Sequence, residues 1–300
     1  MKKHPVRKKL TPKKIRERAE QAIARLESCD LCPRTCGVNR LENEIGFCRT
    51  GRQAIVSSYG PHFGEEPPLV GSHGSGTIFF AGCNLGCIFC QNYDISHLMH
   101  GTKADAEQIS DMMLELQRRG CHNINFVSPS HVVAQILEAT AFAAERGLKA
   151  PLVYNSGGYD ALSTLELLDG VIDIYMPDAK YSSEKAAVEL SRAPNYPEIM
   201  KTALREMHRQ VGDLEVDDEG VAVRGMLIRH LVLPNGLAGT QEVMHFIARE
   251  LSIDSYVNVM AQYQPVYKAY EHSLLNRRIT RTEYLEARDL AAAEGLHRGF

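Results

Sequence analysis

Short apolar segments alternate with longer segments of helical periodicity through most of this chain. Apolar runs of this length, bounded by turn-forming residues, are typical of buried strands. They occupy residues 76–81, 123–127, 151–154, 171–176, 225–233 and 256–261. Six alternations of strand and helix predict an α/β fold whose parallel sheet curves into a partial (β/α)6 barrel.

The segments between the apolar runs have helical spacing. Helices are expected at 104–119, from Ser130 to about 146, and at 160–168, 182–211 and 240–251. Ser130 is placed to act as a helix N-cap, because its hydroxyl can accept from an unpaired backbone N–H. Pro194 and Pro197 are expected to interrupt the long segment, since proline disrupts helical hydrogen bonding.

Composition indicates a globular chain of 300 residues with a formal charge of −3, which gives no reason to expect a nucleic acid or membrane partner. No apolar run suits a spanning helix, and the N-terminus lacks the core of a secretory signal. Eight cysteines without such a signal indicate a cytoplasmic protein that uses metals rather than disulfides. We expect a basic N-terminal helix at 1–28, a cysteine-rich metal-binding segment at 29–70 and the barrel with a C-terminal extension at 71–300.

Positive charge is concentrated at the N-terminus, where residues 1–25 contain ten Lys or Arg and two Glu. Such a segment could contact RNA, an acidic partner or a membrane surface. No aromatic residues lie between the positive charges to stack on bases. We therefore favour a basic tail that leads into an amphipathic helix covering the main domain.

Three cysteines share the loop that follows the first predicted strand, with the spacing Cys83-x3-Cys87-x2-Cys90. Three thiolates on one loop can hold three corners of a [4Fe–4S] cluster and leave the fourth iron open for chemistry. Phe89 can shield one face of this cluster from water. Catalytic groups of a barrel gather at the carboxyl ends of its strands, so the loop is well placed for catalysis.

Other roles for these cysteines explain the pattern less well. A disulfide would leave one of the three thiols unpaired. A zinc site usually has four ligands and would need a distant fourth residue. We therefore favour the open cluster, with Cys83, Cys87 and Cys90 as its catalytic ligands.

A second group of four cysteines lies upstream, at Cys29, Cys32, Cys36 and Cys48. Their spacing suits either a second iron–sulfur cluster or a structural zinc site, and the sequence does not choose between them. A small segment with little apolar content gains folding energy from a bound metal, which supports a structural role. We lean toward a second cluster, because it could deliver electrons to the first.

The three-cysteine loop resembles the signature of the radical S-adenosylmethionine (SAM) superfamily. The flanking segments 65–69, 74–80 and 90–93 resemble its pyruvate formate-lyase activating enzyme-like (PflX-type) branch. The resemblance implies anaerobic reductive cleavage of SAM at a [4Fe–4S] cluster, giving a 5′-deoxyadenosyl radical that abstracts hydrogen. It also implies an oxidoreductase-type enzyme with an electron donor such as flavodoxin or ferredoxin, and a glycyl radical enzyme as the partner that it activates.

The resemblance also suggests which polar residues at strand ends hold SAM. Asp178 and Lys180 resemble the Asp-x-Lys element of activating enzymes, and Asn155 and Ser156 lie where the family has a polar residue near the methionyl or ribose part. His230 and Arg229 are expected on the ribose or substrate side. Val257 and Met260 are expected to border the adenine. Each of these polar residues could instead cap a helix or bind loop backbone.

One departure from the family pattern affects the substrate. Activating enzymes carry Gly-Gly-Glu after the second strand. The corresponding residues 127–131 of this chain are Val-Ser-Pro-Ser-His and contain no acid. Ser128 and Ser130 would then bind the SAM ammonium together with backbone carbonyls. This departure favours an alternative in which the radical modifies a small molecule, peptide or RNA. A non-catalytic iron–sulfur or zinc protein is the remaining alternative.

Overall fold

The computed structural model describes residues 10–300, which fold around a nine-stranded sheet. The strands are β1 (Ala54–His62), β2 (Ser75–Phe80), β3 (Thr102–Ala104), β4 (Ile124–Val127), β5 (Leu152–Ser156), β6 (Ile174–Pro177), β7 (Glu215–Val216), β8 (Ala222–Leu231) and β9 (Tyr256–Met260).

The sheet has a parallel core with antiparallel additions. Strands β2, β4, β5, β6, β8 and β9 pair in parallel in that order. Strand β1 pairs antiparallel with β2 and with β3, and β7 pairs antiparallel with β8. Within residues 10–300, β2 and β9 do not pair with each other, so the barrel is incomplete. The predicted partial (β/α)6 barrel is confirmed.

Helices connect the parallel strands and cover one face of the sheet. They are α1 (Pro12–Ala24), α2 (Pro67–Val70), α3 (Tyr93–Ser96), α4 (Ala106–Arg118), α5 (Val133–Glu145), α6 (Leu162–Leu168), α7 (Glu184–Ser191), α8 (Tyr196–Val211), α9 (Thr240–Phe246) and α10 (Arg281–Ala293). Capping boxes begin α4 at Asp105 and α10 at Thr280. No helix within residues 10–300 has both the length and the apolar character of a membrane span.

The two faces of the sheet bury different sets of residues. One face packs against the helices in the large core, which includes Ile78, Phe126 and Tyr154. The opposite face, which we call the barrel interior, contains a smaller apolar cluster. Its members are Leu69, Val153, Ile174, Met176, Leu214, Ala222 and Leu227. Leu69 belongs to α2. The carbonyl oxygen of Leu69 accepts from Asn123 Nδ2 at 2.8 Å, which places α2 near the amino end of β4.

The N-terminal helix α1 packs against α5, and Ile15, Ala19 and Ala22 are its buried residues. This is the contact expected of an amphipathic helix that covers the main domain. Residues 1–9 of the predicted basic segment lie outside the described residues. Strand β1 comes from the predicted metal-binding segment 29–70 and pairs with β2, so part of that segment belongs to the barrel sheet.

Two sequence predictions about helices have different outcomes. The segment 182–211 forms two helices, α7 and α8, with Pro194 between them and Pro197 in the first turn of α8, as expected. The prediction that Ser130 caps a helix is wrong. Ser130 lies in a 3-10 turn at Pro129–His131, and α5 begins after Val132 without a side-chain cap.

Candidate metal centre and active site

The three-cysteine loop leaves the carboxyl end of β2 and runs to α3. Its first turn depends on Gly82, which has a φ of +81°. A Cβ at this position would lie 2.5 Å from the carbonyl oxygen of Cys48. The loop therefore packs directly against the segment that carries the upstream cysteines, at a distance that only glycine allows.

Each sulfur of the loop lies near a hydrogen-bond donor. The donors are the backbone N–H of Leu85 to Cys83 Sγ at 3.3 Å, Ser191 Oγ to Cys87 Sγ at 3.0 Å and Ser96 Oγ to Cys90 Sγ at 3.2 Å. Donors of this kind stabilise a metal-bound thiolate and adjust the reduction potential of a cluster. The loop is therefore suited to three cluster ligands.

Burial controls the protonation of these thiols. It raises the pKa of Cys83 to about 12 and that of Cys90 to about 11, so both are neutral at pH 7 in the protein without metal. Thiolate ligands must lose their protons, so metal binding would release protons here. Within residues 10–300, no three His, Cys, Asp or Glu groups converge as ligands of a single ion. A cluster attaches each cysteine to a different iron, so its ligands need not converge on one point.

Aromatic side chains cover the loop. Phe89 is buried, and its ring meets that of Tyr263 edge-on at a centroid distance of 5.9 Å. His97 Nε2 lies 3.0 Å from the carbonyl oxygen of Cys87 and its ring stacks on Tyr267. These rings exclude water from the cysteine loop on the side that they cover.

A network of charged residues lies at the carboxyl ends of β5, β6 and β8. Arg229 Nε donates to Asp178 Oδ1 at 2.8 Å and its NH2 group donates to Asn155 Oδ1 at 2.7 Å. Lys180 Nζ donates to the other oxygen of Asp178. Burial alone would raise the pKa of Asp178, but Arg229 and Lys180 outweigh it and hold that pKa below its ordinary value. The structure thus brings together four of the predicted cofactor residues, including Arg229.

Ser130 and Ser156 belong to a different network. Ser156 Oγ donates to Asp160 Oδ2 at 2.7 Å, and Ser130 also hydrogen-bonds the buried Asp160 carboxylate. Tyr154 donates to its other oxygen at 2.9 Å. Asp160 therefore accepts the protons of the two hydroxyl groups that were expected to bind SAM. Of the three serines that were expected to bind SAM, Ser128 is the partly exposed one, and it has a φ of +59°.

His230 also lies away from the charged network. Its Nδ1 is 2.7 Å from the carbonyl oxygen of Ala179 and its Nε2 is 2.9 Å from Thr240 Oγ1. Its partner in β9 is Val259, which belongs to the core shared with the helices. Both ring nitrogens of His230 therefore have partners, and neither is free to bind a cofactor. Val257 is fully buried in the same core, on the face opposite to the interior, so it does not border an interior ligand.

The four upstream cysteines, Cys29, Cys32, Cys36 and Cys48, line one pocket together with Arg40 and His131. Burial raises the pKa of Cys32 to about 12. Arg40 is 1% exposed, and its NH1 group lies 3.6 Å from Cys29 Sγ and 2.8 Å from the carbonyl oxygen of His131. A buried cation beside these sulfurs would stabilise bound thiolates.

The two cysteine groups are linked in three places, of which two are direct contacts and the third is made through His131. One is the close approach of Gly82 to Cys48. The second is a hydrogen bond of 2.8 Å from Arg34 Nε to the carbonyl oxygen of Asn84, within the three-cysteine loop. The third is His131, whose Nε2 lies 3.0 Å from the carbonyl oxygen of Ala81. The remaining cysteine, Cys121, is a buried thiol outside both groups.

Sequence reasoning missed several buried polar residues near these sites. Arg40, Asn125 and Glu66 are all less than a tenth exposed. Arg40 lies between two cysteines of the upstream group, and this position was the only signal for it. Periodicity gave no signal for Asn125 or Glu66, because one lies in an apolar strand and the other in a loop.

Comparison with known proteins identifies the family. The sequence profile of the Radical SAM superfamily matches residues 77–226, half of the chain. The chain belongs to this superfamily, whose members bind a [4Fe–4S] cluster and SAM and use them for radical chemistry. The match contains all three cysteines of the loop and the residues Asp178 and Lys180.

The similar sequences and structures include two relatives from Methanocaldococcus jannaschii. One uncharacterized protein is 36% identical over 275 residues, which cover 88% of this chain and 74% of that protein. A second is 24% identical over 291 residues, covering 89% and 78%. A radical SAM methyltransferase from Sphaerobacter thermophilus has 14% identity and a TM-score of 0.45, covering 74% of this chain and 65% of the other. Methylornithine synthase (PylB) has 12% identity and a TM-score of 0.47, covering 96% and 74%. At these scores neither structure bears on the activity of this chain.

Proposed function

We propose that this protein cleaves SAM reductively at a [4Fe–4S] cluster on Cys83, Cys87 and Cys90. The observation that carries the proposal is the position of these cysteines on one loop at the carboxyl end of β2, with a hydrogen-bond donor near each sulfur. When bound, the cluster and SAM supply the 5′-deoxyadenosyl radical that abstracts hydrogen from a substrate. The remaining work of binding, orientation and water exclusion falls to the protein.

The charged network supplies the polar groups that SAM needs. Lys180 and Arg229 are cations suited to the SAM carboxylate, and Asp178 holds both side chains in place. Asn155 fixes the other end of the Arg229 guanidinium. Phe89 packs against Tyr263 and limits the access of water to the cysteine loop. These residues bind and orient a charged ligand without taking part in bond cleavage.

For the substrate, we propose a glycine Cα–H of a partner enzyme, as the PflX-type resemblance implies. The alternative is a small molecule, peptide or RNA, which the absence of an acid in residues 127–131 favours. Electron paramagnetic resonance distinguishes them, because activation of a glycyl radical enzyme leaves a persistent glycyl doublet on the partner. A screen of metabolites for consumption by the reduced enzyme tests the alternative.

For the upstream group, we propose a second iron–sulfur cluster that passes electrons from a donor such as flavodoxin or ferredoxin. The support is its contact with the three-cysteine loop, which is direct at Gly82 and Arg34 and indirect through His131. A structural zinc ion is the alternative. Iron and sulfide analysis after anaerobic reconstitution decides between them, because one cluster gives about four irons per chain and two give about eight.

The catalytic proposal is tested by the production of 5′-deoxyadenosine. Reduced, reconstituted protein should form it from SAM, and Cys83→Ala, Cys87→Ala and Cys90→Ala should each abolish this activity. Cys121→Ala is the matched control, since it removes a buried thiol outside both groups. Continued formation of 5′-deoxyadenosine by a loop variant would refute the assignment. Failure of the wild type to bind SAM in a calorimetric titration would favour a non-catalytic iron–sulfur protein.

A further inference from the structure

An exposed surface covers the junction of the two cysteine groups. Phe47 is 36% exposed and directly precedes Cys48 of the upstream group. A Cβ at Gly86, in the three-cysteine loop, would be 3.3 Å from Phe47 Cζ and 3.1 Å from Arg192 Cδ. Phe47 and Arg192 therefore pack against the three-cysteine loop, and both remain exposed.

Three exposed cations lie around His97, the histidine beside the carbonyl oxygen of the loop. The NH2 group of Arg49 donates to the carbonyl oxygen of His97. Lys268 Nζ lies 5.6 Å from the ring centroid of Tyr267, which stacks on His97. Burial lowers the pKa of His97, and the charges of Arg49, Arg192 and Lys268 lower it further, so all three cations are close to it. We call this surface the basic face, and its members are Phe47, Arg49, Arg192 and Lys268.

The cations of the basic face lack acidic partners. Within residues 10–300, no carboxylate oxygen lies within 4.0 Å of a charged nitrogen of Arg49, Arg192 or Lys268. Arginines elsewhere on the surface do form such pairs, as Arg146 does with Asp111. The whole chain has a formal charge of −3, so the positive charge of this face is local. A group of unpaired cations attracts a partner of opposite charge and speeds its encounter.

Nucleic acid fits this surface less well than an acidic protein does. Single-stranded nucleic acid binds by stacking its bases on free aromatic rings as well as by charge. The ring of Phe47 is already covered by the guanidinium of Arg34, whose Cζ lies 3.7 Å from the ring centroid. Tyr267 stacks on Tyr93 and on His97, with centroid distances of 5.2 and 4.6 Å. These rings are engaged within the protein, so charge is the main feature that the basic face presents to a partner.

We propose that the basic face is the docking surface of a small acidic electron-transfer protein. This inference rests on the proposed function, because reductive cleavage of SAM consumes an electron from such a donor. One electron leaves the reduced flavin or iron–sulfur group of the donor and enters this chain, so the donor is oxidised by one electron and no atom is transferred. The face is well placed for this transfer, because Phe47 adjoins Cys48 and packs, with Arg192, against the three-cysteine loop. A small contact area held mainly by charge is typical of transient electron-transfer complexes.

The experiment compares donor binding by the reconstituted wild type and by a double variant, Arg192→Glu with Lys268→Glu, which reverses two exposed charges. The probes are a flavodoxin that contains flavin mononucleotide and a ferredoxin, both of net negative charge. Calorimetry at low salt should show the double variant binding these probes on the order of 10-fold less tightly than the wild type. Arg192→Lys keeps the charge and should keep most of the affinity.

Arg119→Glu is the matched control. Arg119 is also exposed, but it follows α4 and lies near the amino end of β4. Since β4 runs parallel to β2, this position is at the opposite end of the sheet from the three-cysteine loop. Arg119→Glu should therefore bind both probes as the wild type does.

Salt dependence and reduction kinetics test the docking directly. Binding by the wild type should weaken as the salt rises to about 0.5 M, where the wild type and the double variant should no longer differ. In stopped-flow measurements, a reduced probe should reduce the double variant more slowly than the wild type. Dithionite needs no docking surface, so it should reduce both proteins to the same extent.

The proposal is overturned if neither probe binds the wild type, if binding does not depend on salt, or if the double variant binds as tightly as the wild type. Binding of a uridine oligonucleotide alone, lost in the double variant, would assign the basic face to RNA and overturn the proposal. If the wild type forms 5′-deoxyadenosine with dithionite but binds neither probe, only this inference fails. If it forms none with dithionite, the proposed function fails.

Iron content and circular dichroism show whether the double variant folds and holds its cluster. If it does not, Lys268→Glu alone takes its place, because Lys268 lies against Tyr267 and Arg192 is the one that packs on the loop. This single variant should weaken probe binding several-fold at low salt. An unchanged affinity would overturn the proposal.

Discussion

Ser191 is predicted to raise the reduction potential of the cluster on the three-cysteine loop. It is the last residue of α7 and is fully buried, and its hydroxyl donates to Cys87 Sγ at 3.0 Å. Tyr181 OH lies 2.7 Å from the same hydroxyl oxygen. Because the proton of Ser191 points to sulfur, the tyrosine is the donor of this second bond. The two residues thus form a short chain of hydrogen bonds that ends on Cys87, a proposed cluster ligand.

The size of the effect follows from the charge on sulfur. A hydrogen bond to a charged group contributes about 1.5–3 kcal/mol, and reduction adds negative charge that strengthens it. If reduction strengthens this hydrogen bond by about 1 kcal/mol, the reduction potential rises by about 40 mV for one electron. Ser191→Ala should therefore lower the potential by about that amount. Tyr181→Phe should lower it by less, because it only weakens the polarisation of the Ser191 hydroxyl.

The assay is a redox titration followed by electron paramagnetic resonance, using the cluster signal that responds to added SAM. Ser255→Ala is the matched control, because Ser255 is also buried but its Oγ has no partner within residues 10–300. The reasoning is wrong if Ser191→Ala and Ser255→Ala leave the potential equally unchanged. It is also wrong if Tyr181→Phe shifts the potential further than Ser191→Ala does.

Two other predictions concern stability. Gly82→Ala should lower the free energy of unfolding by about 1–3 kcal/mol because of its φ of +81°, and by more because of the contact with Cys48. Gly147→Ala, with a φ of +90° and no atom within 4 Å, should lower it only by the first amount. Equal urea midpoints for the two variants would contradict this. Burial lowers the pKa of His230 from 6.5 to about 4, so stability should be full above pH 6.5 and fall by about 3 kcal/mol toward pH 4. Urea unfolding at several pH values tests this, and His230→Gln should reduce the dependence.

The fold was largely predictable, because apolar runs in parallel strands leave a periodic signal that does not depend on long-range contacts. The six parallel strands and the break between α7 and α8 were predicted from local pattern alone. Helix starts were less predictable. Ser130 has the chemistry of an N-cap, but the tertiary structure directs its hydroxyl to Asp160, a residue thirty positions away.

The sequence by itself determined the chemistry that three cysteines on one loop can support, because ligand spacing within a loop is a local property. Only the tertiary structure decided which distant polar residues meet. It joined Asp178 to Arg229 and turned His230 toward the helices, since neighbouring residues of a strand face opposite sides. It also placed Glu66 beside Asn258, 192 residues along the chain, because the curvature of the partial barrel brings distant segments together.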